Sequence, residues 1–389
     1  MDALPLFSEP SPSNNHSSAI VASMGSITSP SSSASPSEKF PRSSLVSVAK
    51  RSEPGHGIYA VFSYKAHSDD RNVSCVMGCY VPATNTWSHE CLVPGLGENN
   101  VLKGCVMVSV GTSIYIIGGS VYNVEVRSQV LRYNVVSKEW STCAPLITPR
   151  HNFACSVCDN KIYVAGGQST LDGAMGVSSA EVYDVLLDKW TPLPDMSTLR
   201  YKCVGVTWLG KFHVIGGFTC NKMPFMDRCS AEVYDVENQK WDHVRGMWQL
   251  DIPPNQIVVI DNKLISSGDC LNVWKGQIET YDQDLNLWYP VRGSMKKTLL
   301  SSSCSLNRTN EGQTSEPLER VCLTMAPIGS YLYFMAGYKV SGDPSSCCMI
   351  SMVHRFDTSA VNNQWETFEP VPVEGERELC SHCCVVQLP

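Results

Sequence analysis

The stretch DNKIYVAGG, residues 159–167, is an apolar run that ends in two glycines. Similar runs are SIYIIGG, which ends at Gly119, and KFHVIGG, which ends at Gly217, and weaker copies are KLISSGD and YLYFMAGY. Glycine at the end of a strand lets the backbone turn tightly where a side chain would collide with its neighbours. Because the run recurs roughly every 50 residues, the sequence indicates an array of repeats.

Aromatic residues mark the same repeat. Six of the nine tryptophans fall at comparable places: Trp87, Trp140, Trp190, Trp241, Trp288 and Trp365. The first five have a tyrosine seven residues earlier: Tyr80, Tyr133, Tyr183, Tyr234 and Tyr281. Before the sixth tryptophan, Phe356 stands nine residues earlier. These large flat side chains are suited to packing one repeat against the next.

Each repeat reads as four short strands. In the third repeat they are NFACSV, KIYVAGG, SAEVYDV and DKWTPL, which are rich in β-branched and aromatic residues and bounded by turn-forming residues. No 3.6-residue pattern accompanies them, which argues against an α/β fold. One four-stranded sheet cannot bury both of its faces, whereas sheets stacked radially around an axis can. The sequence therefore predicts an all-β fold, a six-bladed β-propeller.

The predicted ring closes through its last strand. The run ELCSHCCVVQL, residues 378–388, has no partners of its own, and the first repeat lacks an opening strand. A C-terminal strand that completes the first blade hides both edges. The predicted blades are 55–93 with 378–389, then 101–145, 150–194, 200–246, 252–293 and 320–372, with an inserted loop at 294–319. Together they form a propeller domain at 55–389.

Residues 1–54 are predicted to be a disordered tail. Thirteen of the thirty residues from Ser8 to Ser37 are serine, prolines are frequent, and such a composition cannot bury enough apolar surface to fold. The tail is not basic enough for an organelle transit peptide, because Asp2 and Glu9 precede the first basic residue, Lys39. Organelle targeting is therefore less favoured than the cytoplasm or nucleus.

Composition narrows the class of function. The chain has 389 residues, 43% of them hydrophobic, which is ample for a large core. Its formal charge of −7 argues against nucleic acid as a partner, and no apolar run reaches the ~18–20 residues of a membrane span. No secretory signal is evident, so the 18 cysteines are read as reduced thiols.

Metal and enzyme interpretations find little support in the sequence. Cys155 and Cys158, like Cys380 and Cys383, lie in strand-like runs, where residues three apart point to opposite faces and cannot converge on zinc. His213 alternates within KFHVIGG and is read as a structural residue. No nucleophile elbow, phosphate loop or HExxH motif stands out. We therefore expect no cofactor, no metal and no enzyme activity.

A thiol sensor is a further alternative. Reactive thiols need exposure and nearby positive charge. Cys220 and Cys229 satisfy both conditions on the sequence, because Lys222 and Arg228 lie in the same loop. A propeller enzyme is the other alternative that stays open.

The repeat resembles the kelch repeat over residues 55–389. The residues that carry the resemblance are the diglycines Gly118–Gly119, Gly166–Gly167 and Gly216–Gly217, the tyrosines Tyr133, Tyr183, Tyr234 and Tyr281, and the tryptophans Trp140, Trp190, Trp241, Trp288 and Trp365. The segment from NFACSVCDNKIYVAGG to GKFHVIGG is similar to the kelch region of plant F-box/kelch-repeat proteins. In that family, an F-box binds the Skp1 adaptor of a ubiquitin ligase, and the propeller captures the protein to be ubiquitinated.

The resemblance implies a non-enzymatic module that binds a protein partner. No F-box is apparent in residues 1–54, which lack its helix-forming sequence marked by Leu, Pro and Trp. Association with Skp1 and cullin therefore stays open. The alternatives are a ubiquitin-ligase substrate receptor, a scaffold, or a competitor of intact family members.

The resemblance also places the binding face, at the loops that enter the innermost strands and the loops after the diglycines. Four arginines that enter the innermost strands are predicted to anchor an acidic partner: Arg150, Arg200, Arg320 and Arg377. The loops after the diglycines add Tyr122, Asn123, Gln168, Phe218 and Tyr338, which are residue types suited to hot spots. Cys105, Phe153 and Cys203 are predicted to pack within the innermost strands.

Overall fold

The computed structural model describes residues 55–65, 72–97, 99–121, 124–172, 175–218, 228–270, 277–294, 318–340, 349–360, 364–369, 371–373 and 376–388. The predicted N-terminal tail and most of the predicted inserted loop lie outside the described residues. Residues 52–389 form one compact unit. Every regular element in the described ranges is a β-strand, so no helix there has the length and apolarity to cross a membrane.

The strands are short and follow the predicted repeat. The first ten are β1 (His56–Lys65), β2 (Val73–Val81), β3 (Thr86–Leu92), β4 (Leu102–Lys103), β5 (Val106–Val110), β6 (Ser113–Ile117), β7 (Ser120–Val121), β8 (Glu125–Val126), β9 (Val130–Asn134) and β10 (Glu139–Cys143). The next ten are β11 (Ala154–Cys158), β12 (Lys161–Ala165), β13 (Ala180–Asp184), β14 (Lys189–Leu193), β15 (Val204–Trp208), β16 (Lys211–Ile215), β17 (Ser230–Asp235), β18 (Lys240–Arg245), β19 (Ile257–Ile260) and β20 (Lys263–Ser266). The last nine are β21 (Glu279–Asp282), β22 (Leu287–Pro290), β23 (Leu318–Ile328), β24 (Tyr331–Val340), β25 (Met349–Asp357), β26 (Trp365–Thr367), β27 (Val371–Val373), β28 (Glu376–Leu379) and β29 (Cys384–Gln387).

These strands form antiparallel sheets of four or five strands, as a kelch propeller requires. The four-stranded sheets are β5–β6–β9–β10, β11–β12–β13–β14, β15–β16–β17–β18 and β19–β20–β21–β22. A five-stranded sheet joins β23 to β27, and another joins β1, β2 and β3 to the C-terminal strands β28 and β29, both of which pair with β1. A small sheet of β4, β7 and β8 stands apart.

The aromatic repeat is a cross-strand pair. In five sheets the repeat tyrosine lies directly opposite the repeat tryptophan of the next strand, as Tyr183 does with Trp190, with ring centroids 5.0 Å apart. The Tyr183 hydroxyl donates a 2.6 Å hydrogen bond to the Asp188 carboxylate in the turn between the two strands. Phe356 and Trp365 form the equivalent pair in the last sheet. The pair fixes the register of the hairpin, because a one-residue slip of either strand would place the two rings on opposite faces of the sheet.

Five of the six repeat tryptophans, all but Trp87, also donate a hydrogen bond from the indole N–H to the neighbouring sheet or to the chain that follows it. The indole N–H of Trp190 donates to the carbonyl of Ala144, that of Trp241 to Pro194, and that of Trp288 to Met247, at 2.6–2.9 Å. Each acceptor lies just beyond the outermost strand of the preceding sheet. The tryptophan side chain thus supplies a large apolar surface, and its one N–H group finds an acceptor at the boundary between sheets.

The diglycines occupy positions where no other residue fits. Gly166 and Gly167 have φ of 68° and 90°, in the left-handed region that favours glycine. A Cβ on Gly166 would lie 2.8 Å from the carbonyl oxygen of Arg200 in the next sheet. A Cβ on Gly167 would lie 2.6 Å from the Cβ of Phe153 in its own sheet. The strand therefore ends in two glycines because it turns tightly between two packed surfaces.

A close backbone approach between two sheets brings Gly205 of β15 against β11. A Cβ on Gly205 would lie 2.4 Å from the backbone nitrogen of Cys155. We expect Gly205→Ala to lower the free energy of unfolding by about 1–3 kcal/mol, because the innermost strands must separate to admit the methyl group. Urea denaturation of the full chain measures this loss.

Gly78→Ala is the matched control, since Gly78 also lies inside a strand. Its added Cβ would meet nothing closer than the Ser88 carbonyl oxygen at 3.5 Å. We expect a change within about 1 kcal/mol for this variant. Equal losses at the two positions would contradict the close packing of β11 and β15.

Candidate functional site

The two sets of loops predicted to bind a partner meet at one end of the sheets. Backbone bridges join His151 to Gln168 and Tyr201 to Phe218, and so connect the start of an innermost strand to the loop after the diglycine. A third bridge joins Pro254 to Asp269 in the next sheet. We refer to this end, where the innermost strands begin, as the mouth.

A cavity of about 670 Å³ opens between the innermost strands. Its lining includes Gly104, Asn152, Lys202, Asn255 and His382, which stand directly before the innermost strands or the C-terminal strand. The next residues inward are mostly sulfur-bearing or apolar: Cys105, Phe153, Cys203 and Cys383. The cavity therefore has a polar rim, and thiol and apolar side chains follow it inward.

Backbone hydrogen bonds tie the rim together. The N–H of Asn152 donates to the carbonyl of Gly104 at 2.9 Å, and the N–H of Lys202 donates to the carbonyl of Asn152 at 2.7 Å. All three residues have φ between 52° and 63°. The rim is thus a continuous chain of bonds across three sheets, built from residues in the left-handed conformation.

Arg150 does not offer its charge at the mouth. Its side chain is fully buried, and its guanidinium donates to the Glu181 carboxylate at 2.6 Å and to the carbonyl of Gly166 at 2.7 Å. The same carboxylate accepts the N–H groups of Ile147 and Thr148 from the preceding sheet. Burial lowers the pKa of Arg150, an effect that the charge of Glu181 opposes.

Arg200 repeats the arrangement one sheet later. It is also fully buried, lies 3.7 Å from the Glu232 carboxylate, and donates to the carbonyl of Gly216 at 3.0 Å. The expectation that these two arginines present exposed charge to a ligand is therefore corrected. Their guanidinium groups lie inside their own sheets, because each has a carboxylate and carbonyl oxygens of that sheet within reach of its side chain.

A pattern in the sequence could have signalled these buried pairs. Glutamate precedes the repeat tyrosine by two residues in the sheets that carry Arg150 and Arg200. In the sheet before them, the corresponding places hold Leu102 and Leu131, and both are buried in one apolar cluster. In these three sheets arginine and glutamate are thus present together or replaced together, whereas in the following sheet Glu279 is present and Pro253 stands where the arginine would be.

The other predicted binding residues have different fates. The backbones of Arg320 and Tyr338 are paired across β23 and β24, but their side chains are not described. Tyr122 and Asn123 lie outside the described residues. Arg377 is half-buried, with its guanidinium 5.6 Å from the ring centroid of Tyr64.

Gln168 and Phe218 both lie at the mouth. Gln168 is buried and accepts a 3.3 Å hydrogen bond from the Asn152 amide. Phe218 is half-buried and packs on Tyr201, with centroids 5.5 Å apart, while Arg228 lies 5.7 Å from its ring centroid. Of the predicted hot-spot residues, Phe218 is the one described with an aromatic surface at the mouth.

Sequence reasoning missed Lys202 and the apolar residues of the mouth loops. The exposed apolar side chains in the described loops around the mouth include Val124, Ile147, Leu171, Met175, Leu199 and Leu250. Exposed apolar groups beside a polar rim are typical of protein interfaces. No sequence signal separates these residues from ordinary loop residues.

The cysteines and histidines of the described ranges have mainly structural surroundings. Cys155 and Cys158 belong to different apolar clusters, on the two faces of β11. His213 is buried against Trp208, and burial lowers its pKa to about 4. Among the described residues, no group of three or more His, Cys, Asp or Glu is placed to hold a metal ion.

The structure does not support Cys229 as one of the two reactive cysteines of the thiol-sensor alternative. Burial and the charge of Asp251 raise the pKa of Cys229, although Arg228 opposes this, so the thiol is not activated. Cys220 lies outside the described residues. Cys75 was not singled out on the sequence, yet hydrogen bonds from the Cys380 thiol and the Leu102 N–H lower its pKa. Cys75 is buried, which limits its access to oxidants.

Comparison with known proteins defines the family. The chain belongs to the FKB95 kelch-repeats domain family, whose model matches residues 84–316, more than half of the chain. It is similar to F-box/kelch-repeat protein At1g16250 of Arabidopsis thaliana, at 31% identity over 209 residues, 51% of this chain and 52% of the relative. It is also similar to F-box/kelch-repeat protein OR23 of Arabidopsis thaliana, at 30% identity over 253 residues, 56% and 57% of the two chains. The chain spans about half the length of the curated relatives it matches.

The buried ion pairs generate a stability prediction. We expect Arg150→Ala to lower the free energy of unfolding by about 3–5 kcal/mol, because it leaves the buried Glu181 carboxylate without its counter-charge. Lys161→Ala is the control, since its ion pair with Asp184 is partly exposed and should contribute no more than about 1 kcal/mol. Thermal and urea denaturation measure both losses. A loss for Arg150→Ala no larger than for Lys161→Ala would contradict a structural role for this arginine.

Proposed function

We propose that this chain is a non-enzymatic protein-binding module that captures a protein partner at the mouth, as the substrate receptor of a ubiquitin ligase does. The observation that carries the proposal is the set of exposed apolar side chains around a polar rim, held by loops at the ends of packed sheets. Loops on a rigid scaffold are common sites of binding. The printed names of the relatives, F-box/kelch-repeat proteins, support the ligase part of the proposal.

The proposal includes a six-bladed ring closed by the C-terminal strand. Its support is that β5, β11, β15, β19 and β23 contact one another in order, and that β29 contacts both β23 and β5. In such a ring the mouth is one opening of the central channel. The partner then docks on loops from several blades at once, which gives a broad and pre-ordered surface.

Two finer points belong to the same proposal. The sequence predicted an acidic stretch in the partner because of four arginines. We still propose an acidic stretch, and the charge that supports it is now that of Lys202 at the rim. The proposed place of action is the cytoplasm or nucleus, where a ubiquitin ligase would meet its substrates.

The test is affinity capture of plant proteins on the full chain, with mass spectrometry of what is retained. The mouth variant is Met175→Asp/Leu250→Asp, which places two charges on exposed apolar positions. The control is Leu186→Asp/Leu285→Asp, in the turns that follow β13 and β21, at the opposite end of these strands from the mouth. Both variants add the same charge, so a general effect of acidity is cancelled.

We expect the mouth variant to capture at least about tenfold less partner than the wild-type chain, because a charge in the centre of an interface is left unpaired. The control should capture as much partner as the wild-type chain. Co-capture of Skp1 and cullin with the wild-type chain would support the ligase role. A partner without them would favour a scaffold or competitor. Equal capture by both variants would overturn the mouth as the binding face.

A further inference from the structure

Lys202 adopts a backbone conformation that lysine seldom takes. Its φ is 52°, while Gly104 and Asn152, at the corresponding places in the two preceding sheets, have φ of 63° and 54°. Glycine and asparagine enter the left-handed region readily, whereas lysine does so at a cost of roughly 1 kcal/mol. Lys138 has a similar φ, 58°, in the turn between β9 and β10, so it is the place of Lys202 at the rim that sets it apart. The position therefore directs attention to what the lysine side chain does.

The Lys202 ammonium is not neutralised within the protein as described. The side chain is exposed at the cavity, and no described residue forms a hydrogen bond or an ion pair with its ammonium. Lys103, by contrast, is paired with Glu378 at 3.1 Å. Asp269 and Lys202 both act on the Cys270 thiol, but no ion pair joins them. The cavity thus holds an accessible positive charge.

The cavity wall strengthens the field of that charge. Burial raises the pKa of Cys105 and Cys383 to about 12 and that of Cys203 to about 11, so these thiols are neutral. Val204 and Leu323 add apolar surface. A cation at the opening of a cavity that is lined in part by such side chains attracts anions more strongly than one on an open surface. A volume of about 670 Å³ admits side chains rather than a folded segment.

We propose that this cavity is a subsite for a single carboxylate side chain, aspartate or glutamate, that the protein partner inserts and pairs with the Lys202 ammonium. The inference rests on the proposed function, because it assumes a protein partner at the mouth. Ammonium and carboxylate form a charge-assisted hydrogen bond, which is stronger than a neutral one. The rim residues Gly104, Asn152 and Lys202 share a backbone conformation and differ in charge, so position 202 determines specificity for an acidic ligand.

The test uses a displayed library of random peptides panned against the full chain. We expect the wild-type chain to enrich peptides with Asp or Glu at one fixed position. Lys202→Asn removes the charge and places at 202 the residue that Asn152 already supplies in the same conformation, so the fold should be retained or stabilised. Lys202→Arg keeps the charge and should keep the acidic preference. Thermal unfolding of each variant verifies the fold.

A double-mutant cycle gives the decisive readout. The best selected peptide and its version with the acidic residue changed to the amide are titrated by fluorescence anisotropy against the wild-type chain and Lys202→Asn. We expect each single change to weaken binding by about tenfold or more, and the second change to add little once the first is present. Additive losses would overturn the pairing with Lys202.

The outcomes separate this inference from the proposed function. Peptides that bind without an acidic preference, but lose affinity to Met175→Asp/Leu250→Asp, would overturn the subsite and leave the mouth as the binding face. Peptides that are indifferent to both sets of mouth variants, or the enrichment of no peptide, would count against both proposals.

Discussion

The structure depends on hydrogen bonds that each sheet makes with the sheet beside it. The indole of Trp190 donates to the end of the preceding sheet, and the N–H of Gly167 donates at 2.7 Å to the carbonyl of Arg200 in the following one. Arg200 then turns its guanidinium into its own sheet, toward the Glu232 carboxylate. These groups are buried, so each bond that failed to form would leave an unsatisfied polar atom at the boundary.

This constraint explains the residues of the repeat. Glycine is required where the strand ends because the next sheet lies within contact distance, and tryptophan is required where an apolar surface must carry one donor. The contacts between sheets fix the sheets, and the sheets fix the ends of the loops. A mouth built this way presents its apolar side chains and Lys202 with little loss of entropy on binding.

The sequence was a good guide to what repeats and a poor guide to what does not. The strand spacing and the Tyr–Trp pair recur in five sheets, with Phe356 in place of tyrosine in a sixth, so their regularity could be recognised without any structure. The direction of the arginine side chains could not be predicted from residue spacing, because a residue just before a strand can point into its sheet or toward the cavity. Arg150 and Lys202 stand at almost the same place in successive repeats, and two residues of register separate a buried ion pair from an exposed charge.

The unpredicted parts of the site come from geometry that is not local. The cavity exists because Gly104, Asn152 and Lys202, about fifty residues apart, are joined by backbone hydrogen bonds across sheets. The left-handed φ of Lys202 could not be predicted from the residue type either, since lysine seldom adopts that conformation.

Amide hydrogen exchange on the full chain, free and bound to its captured partner, tests the central claim most directly. The account predicts that exchange slows on binding in the mouth loops, residues 144–153, 166–172, 194–203 and 246–256. It predicts no change in the turns at the opposite end, residues 134–139, 158–161 and 184–189. Protection confined to those turns would contradict the account.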